Sequence, residues 1–194
     1  MVDDRNAIAA RIQDWVVFRD SGDWERLRAI WGPDGIMNAT FFRGSADDFI
    51  AAGRRAFGAA IPAVLHMLGG ISVDVRGARA VSQAKATILG RGTVHDTPCE
   101  VACSGRFYDL WYKEGDVWLL SERALIYERD RLDPLNGAPY PALDPVILAS
   151  FPPGYQHLAY MQQAAGLTVH PGLPGLTGAA VEALYKRGRS WLTP

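Results

Sequence analysis

Four long stretches of alternating apolar residues, His66–Val75, Ala80–Gly90, Glu100–Tyr112 and Val117–Arg129, dominate the middle of this 194-residue chain. Alternation with period two, as in Ser72-Val73-Asp74-Val75, is the signature of half-buried strands. Arg76-Gly77-Ala78-Arg79 and Lys113-Glu114-Gly115-Asp116 are short glycine-containing turns, so the strands they join are antiparallel neighbours. The segment from Gly90 to Cys99 reads as a longer, polar hairpin tip, and Gly69-Gly70 as a bulge that bends the sheet. A sheet of this kind must bury one face, and the cover has to come from elsewhere in the chain.

The N-terminal third supplies helices. Ile8, Ile12, Trp15 and Val16 recur at helical spacing over Asn6–Arg19, with Asp3 or Asp4 available as cap. After Ser21-Gly22, the residues Trp24, Leu27, Ile30 and Trp31 share one face of a second short helix capped by Asp23 or Ser21. Gly32-Pro33-Asp34-Gly35 is expected to be a turn and Ile36–Phe42 a strand, continuing toward Arg43-Gly44. Ser45 caps a third helix, Ala46 to about Phe57, whose Asp47 and Asp48 suit the positive end of its dipole. Helices followed by a run of strands give an α+β class: a curved mixed sheet with the helices on its concave side.

After Arg131 the composition changes. Nine of the twelve prolines fall between Pro134 and Pro194, which divides the chain into residues 1–131 and a proline-rich extension, 132–194. Helical pieces are expected at Tyr155–Ala165 and Ala179–Arg187. The extension has too many large apolar groups, Trp191 and Leu192 among them, to float free. It is expected to pack on its own domain or across a partner copy, with a cover over a pocket mouth as the sharper alternative.

Bulk properties exclude several classes. A net charge of −1 gives no electrostatic reason for nucleic acid or an anionic membrane, and no stretch has the length of a transmembrane helix. The N-terminus opens acidic, without the features of a signal peptide. Cys99 and Cys103 lie four apart on one strand, on the same face and too distant to bridge, so free thiols and a cytoplasmic location are expected. The four histidines are scattered without metal-ligand spacing, and no glycine-rich phosphate loop is present, so no metal and no cofactor is implied. His95 reads as a solvated hairpin residue, His170 as a surface turn beside Pro171.

Three stretches carry a family resemblance: F-R-D-S-G-D-W-E-R-L-R-A-I-W, L-H-M-L-G-G-I-S-V-D-V-R-G-A-R-A and G-R-F-Y-D-L-W-Y-K-E-G-D-V-W-L-L-S-E-R. They resemble the SnoaL-like branch of the nuclear-transport-factor-2-like superfamily, with scytalone dehydratase, hexachlorocyclohexane dehydrochlorinase and bile-acid 7α-dehydratase as its nearest members of known chemistry. The resemblance covers residues 5 to about 131. It implies a cone-shaped, cystatin-like α+β barrel enclosing an apolar cavity. It also implies that an aspartate ending the first helix holds a histidine at the start of the third strand; those positions are Asp20 and His66 here.

His66 lies among Leu65, Met67 and Leu68, an odd setting for an imidazole without a partner. A neutral imidazole can take a proton from an activated C–H, and a carboxylate on its other nitrogen fixes the tautomer and stabilises the cation formed. Asp20 sits where the helix dipole disfavours negative charge, and two readings of it stand: the orienter of His66, or an Asx-type cap into the second helix. For His66 the alternative is a core histidine bonded to a backbone carbonyl. The expected cavity wall is Trp15, Trp31, Met37, Phe41, Tyr108 and Trp111. Only one of Met37 and Asn38 can face inward, and Arg106 and Asp109 point to opposite faces. Asp109, Tyr108 and Tyr127 are further proton-transfer candidates. The expected activity is a cofactor-free lyase or isomerase on a small apolar cyclic or aromatic molecule, in a homodimer or homotrimer. The competing readings are a binding module without turnover and a structural subunit of the dioxygenase β-subunit type.

Overall fold

In the computed structural model, which describes residues 3–57 and 64–193, the chain forms six strands and six helices. Helix α1 (Asp4–Ser21) starts at its cap Asp3, and α2 (Trp24–Arg28) at Asp23, whose side chain accepts from the Arg26 N–H. Strand β1 (Trp31–Asn38), the short β2 (Arg43–Ser45) and α3 (Ala46–Ala56), capped by Ser45, follow. The long strands are β3 (Val64–Arg76), β4 (Arg79–Val94), β5 (Thr97–Glu114) and β6 (Val117–Pro134). The extension carries α4 (Pro145–Ala149), α5 (Gln156–Ala164) and α6 (Ala179–Leu192).

The sheet order is β2-β1-β6-β5-β4-β3, with β1 parallel to β6 and every other pairing antiparallel. The sheet is curved but does not close, so β3 is a free edge. Its concave face packs against α1 through Ile8, Ile12 and Trp15, all buried.

Several boundaries depart from the sequence reading. Gly32-Pro33-Asp34-Gly35 is no separate turn. It lies within β1 as an irregularity, where pairing with β6 jumps between Trp31 and Ile36. The polar tip from Gly90 to Cys99 is absent too: β4 and β5 pair up to Val94 and Thr97 around a two-residue turn. There His95 (φ 46°) and Asp96 (φ 63°) both take the left-handed conformation that a tight hairpin demands. Gly69-Gly70 does coincide with a register shift, between Leu68 and Ile71.

Two further irregularities lie on β6 and decide what faces the cavity. Ser121 is skipped in the pairing of β6 with β5, and so is Glu128. Each extra residue reverses the side-chain phase. Before the first bulge Trp118 and Leu120 are buried in the main core; after it Arg123, Leu125 and Tyr127 point inward; after the second, Asp130 and Leu132 do.

The extension packs on both faces of its own sheet. Helix α5 lies against β4, β5 and β6, whereas α6 covers the opposite face, where Val181 and Leu184 meet Val81, Tyr108, Leu110 and Ile126. Burying each of those two α6 side chains is worth about 1.5–3 kcal/mol. Arg106 ties the same face together, donating to Glu128 (2.6 Å), Gln83 (2.6 Å) and the Tyr185 hydroxyl (2.8 Å). Gly188 lets α6 approach closely, since a Cβ there would strike the Tyr108 hydroxyl.

Gly188→Ala therefore reverses the usual helix preference for alanine. A loss of roughly 1–3 kcal/mol is expected in urea unfolding, the range of an overpacked contact, and Tyr108→Phe in the same chain should recover part of it.

Candidate active site

Helix α1 ends at Gly22 (φ 74°), whose N–H bonds back to the Phe18 carbonyl. Asp20 therefore falls in the final turn, beside the free edge of β3. On β3, Leu65 and Met67 turn outward, 48% and 54% exposed, while Val64 and His66 line the concave side. The His66 N–H donates to Asp20 Oδ2 at 2.7 Å, and His66 Nδ1 lies 2.7 Å from Asp20 Oδ1. A carboxylate can only accept, so Nδ1 carries a proton, and in the neutral imidazole the lone pair is then on Nε2. Nε2 has no hydrogen-bond partner among the described residues. The cap of α2 is Asp23, so Asp20 is not engaged there.

His66 borders a cavity of about 210 Å³ between the sheet, α1, α3 and α5. The ring stands edge-on to Trp15 (centroids 5.6 Å) and tilted to Phe107 (6.1 Å). Of the wall residues expected from the sequence, Trp15, Met37 and Phe41 line this cavity. Three do not. Tyr108 belongs to the opposite face, under α6. Trp111 is fully buried elsewhere in the core and donates its indole N–H to Ser82 (2.8 Å). Trp31 is buried against Gly35, an effect of the irregular start of β1. Asn38, next to inward-facing Met37, bonds Glu122 on the outer side (2.9 Å).

Other wall residues escaped the sequence reading: Arg19 and Phe49 from the helices, Leu125 from β6, and Leu158, Met161 and Gln162 from α5; Tyr127 of β6, expected as a proton-transfer candidate, also lines the cavity. Arg19 was legible in principle, since it lies four residues after Trp15 on α1. The Tyr127 hydroxyl accepts from the Thr40 N–H (3.0 Å), and burial pushes its pKa far up, so it remains a phenol with a proton to offer. Burial, helped by the charge of Asp130, likewise pushes the Cys103 thiol up, which removes it as a nucleophile.

Asp109 is committed elsewhere. It is fully buried and receives Nε and Nη2 of the equally buried Arg123, both at 2.8 Å. The guanidinium lies over Phe107 (4.1 Å) and Trp15 (4.3 Å), so the pair supports the cavity floor.

A second carboxylate holds α5 in place. Asp130, fully buried, accepts from the backbone N–H groups of His157 (2.7 Å) and Leu158 (2.8 Å) and lies 2.9 Å from His157 Nδ1. His95 is no free loop residue: its Nε2 lies 3.1 Å from the Tyr160 hydroxyl, which also accepts from the Asp144 N–H. His170 donates its backbone N–H to the Thr40 carbonyl (2.8 Å). Among the described residues no cluster of His, Cys, Asp or Glu is placed to hold a metal ion, and no helix is long and apolar enough to cross a membrane.

The fold is that of a SnoaL-like protein. The SnoaL-like domain model matches residues 1–124, and the chain belongs to that family. A PEP2-like protein of Fusarium vanettenii is 33% identical over 195 residues, covering 93% of this chain and 82% of the relative. Pea pathogenicity protein 2 of the same fungus is 35% identical over 169 residues, 84% of this chain and 71% of that protein. A scytalone dehydratase-like protein of Novosphingobium aromaticivorans shares the fold (TM-score 0.56, 18% identity, 69% of this chain and 94% of that one). The domain match stops before the extension, whereas the first relative's alignment runs well into it.

Two stability outcomes follow. Asp130→Ala should raise hydrogen exchange selectively in α5 and cost roughly 1–3 kcal/mol, because three donors lose their acceptor. Asp109→Ala, which strands a buried guanidinium, should cost about 3–5 kcal/mol in chemical unfolding, and Asp109→Leu with Arg123→Met should be less damaging than either change alone.

Proposed function

We propose that this protein is a cofactor-free lyase or isomerase whose base is His66, oriented by Asp20, and whose substrate is a small, largely apolar cyclic or aromatic molecule. The observation that carries this reading is the double grip of one carboxylate on the His66 N–H and Nδ1, both at 2.7 Å, with Nε2 left unpartnered at an apolar cavity. The size agrees: a cavity of about 150 Å³ admits benzene, and 210 Å³ suits one substituted ring or two fused ones.

The reaction begins as a proton leaves an activated C–H for Nε2. The C–H electron pair becomes the π bond of a new C=C. In an elimination, the leaving group departs with the electrons of its own bond; in an isomerisation, His66 returns the proton at another carbon. Asp20 stabilises the transient imidazolium. The Tyr127 phenol can donate to a carbonyl or departing oxygen. The fold shared with a scytalone dehydratase-like protein supports elimination of water as one form of this chemistry.

The test is incubation with cyclic ketones and cyclic β-hydroxy ketones in D₂O, followed by proton NMR. Wild type should exchange the α-hydrogen or release water from at least one compound. His66→Ala should slow that reaction by about 10²–10⁴-fold, the usual contribution of a general base, with the thermal midpoint nearly kept. Asp20→Asn should lower kcat without a matching rise in KM. Undiminished activity in His66→Ala would end this reading.

A further inference from the structure

Arg19 is the charged group of the cavity wall that the scheme above leaves without a task. It follows from α1 geometry that Arg19 and Trp15, four residues apart, share a face, and both line the cavity. The guanidinium stands beside the rings of Trp24 (5.5 Å) and Phe49 (5.8 Å), and among the described residues it makes no hydrogen bond and no ion pair. The Trp15 indole N–H is buried and also lacks an acceptor among the described residues. The nearest carboxylate along the helix, Asp20, is already taken by His66. Among the described residues the cavity wall contains Arg19, Arg91 and His66 but no aspartate or glutamate, and Arg91 is paired at the surface with Glu100 (2.8 Å).

Beside Arg19 the cavity is lined by Ala52, Gly53 and Ala56 of α3, and Gly53 lets the helix approach closely, since a Cβ there would strike the Trp24 ring (2.9 Å) and lie 3.9 Å from Arg19 Cζ. Burial lowers the Arg19 pKa, with the Asp20 charge opposing that shift, as expected of a guanidinium whose water has been stripped without full replacement. A half-buried cation with no counter-charge beside it is costly to keep, and an anionic oxygen in the cavity would satisfy it.

We propose that the cavity binds ring compounds bearing an anionic oxygen, a carboxylate or an ionised enol or phenol, and that Arg19 receives that oxygen. This rests on the cavity assigned above as the substrate site and narrows its ligand from a merely apolar ring to a ring acid. Arg19 is a binding and positioning residue in this assignment. It fixes the ring so that one C–H faces His66.

The test compares 2-naphthoate with its neutral isostere 2-naphthamide, read by tryptophan fluorescence and calorimetry on the intact chain. Wild type should prefer the acid by about tenfold or more, as expected for hydrogen bonds to a charged group. Arg19→Met and Arg19→Gln should abolish that preference while leaving amide affinity within a fewfold, and Arg19→Lys should restore part of it. His66→Ala should keep the preference. A benzoate and phenol series titrated through their own ionisation then separates carboxylate from phenolate. Equal wild-type affinity for acid and amide would overturn the proposal, as would a preference untouched in the Arg19 variants. If acid selectivity is found while no compound exchanges a hydrogen, the lyase reading fails and the anion site stands.

Discussion

An edge strand carries backbone donors that nothing in its own sheet can satisfy, and a chain that leaves the sheet unclosed must cover them. Here one carboxylate does so at the site itself. Asp20 accepts the off-ladder N–H of His66 and, with its other oxygen, the ring of the same residue. The two contacts reinforce each other: the backbone bond fixes where the ring attaches, and the side-chain bond fixes how it is turned. Asp20 can reach β3 only because α1 lies across the concave face on Ile8, Ile12 and Trp15 and stops at Gly22. The helix stripe, the glycine stop and the free edge are therefore parts of a single device.

That device recurs at the other side of the cavity. Asp130 grips the backbone N–H and Nδ1 of His157 in the same two-pronged manner, adding the Leu158 N–H at the start of α5. The first clamp holds a sheet edge to a helix end, and the second holds a helix start to the sheet. Beneath both, the sealed Asp109–Arg123 pair braces Trp15 and Phe107 from below. A buried ion pair is weak evidence for stability, but one stacked under two wall residues constrains their position.

Much of the frame is legible in the sequence because its periodicities are clean. The α1 stripe, the Asp3, Asp23 and Ser45 caps, and the alternation that turns His66 inward and Met67 outward all follow from local rules. What stays hidden is hidden for two reasons. The bulges at Ser121 and Glu128 shift the phase of β6 twice, so alternation counted from Trp118 and Leu120 misplaces Arg123, Leu125 and Tyr127, which lie between them. The other reason is tertiary. Alternation does put Tyr108 and Trp111 on opposite faces, but nothing local says which face is the cavity side, that Trp111 is buried away from the hollow, or that α5 rather than α6 borders it. The turn expected at Gly32-Pro33 fails as well: Arg28 of α2 donates to the Trp31 (3.1 Å) and Gly32 (3.2 Å) carbonyls and ties that stretch to the end of the helix.

The division of the cavity between two parts of the chain has a consequence for how such proteins diversify. Asp20 and His66 come from the segment shared with the SnoaL-like domain, whereas Leu158, Met161, Gln162 and Leu167 come from beyond it. One wall of the hollow is thus written in a stretch that contains neither Asp20 nor His66. Substitutions in that trailing stretch can remodel this part of the outline while the imidazole and its carboxylate stay untouched.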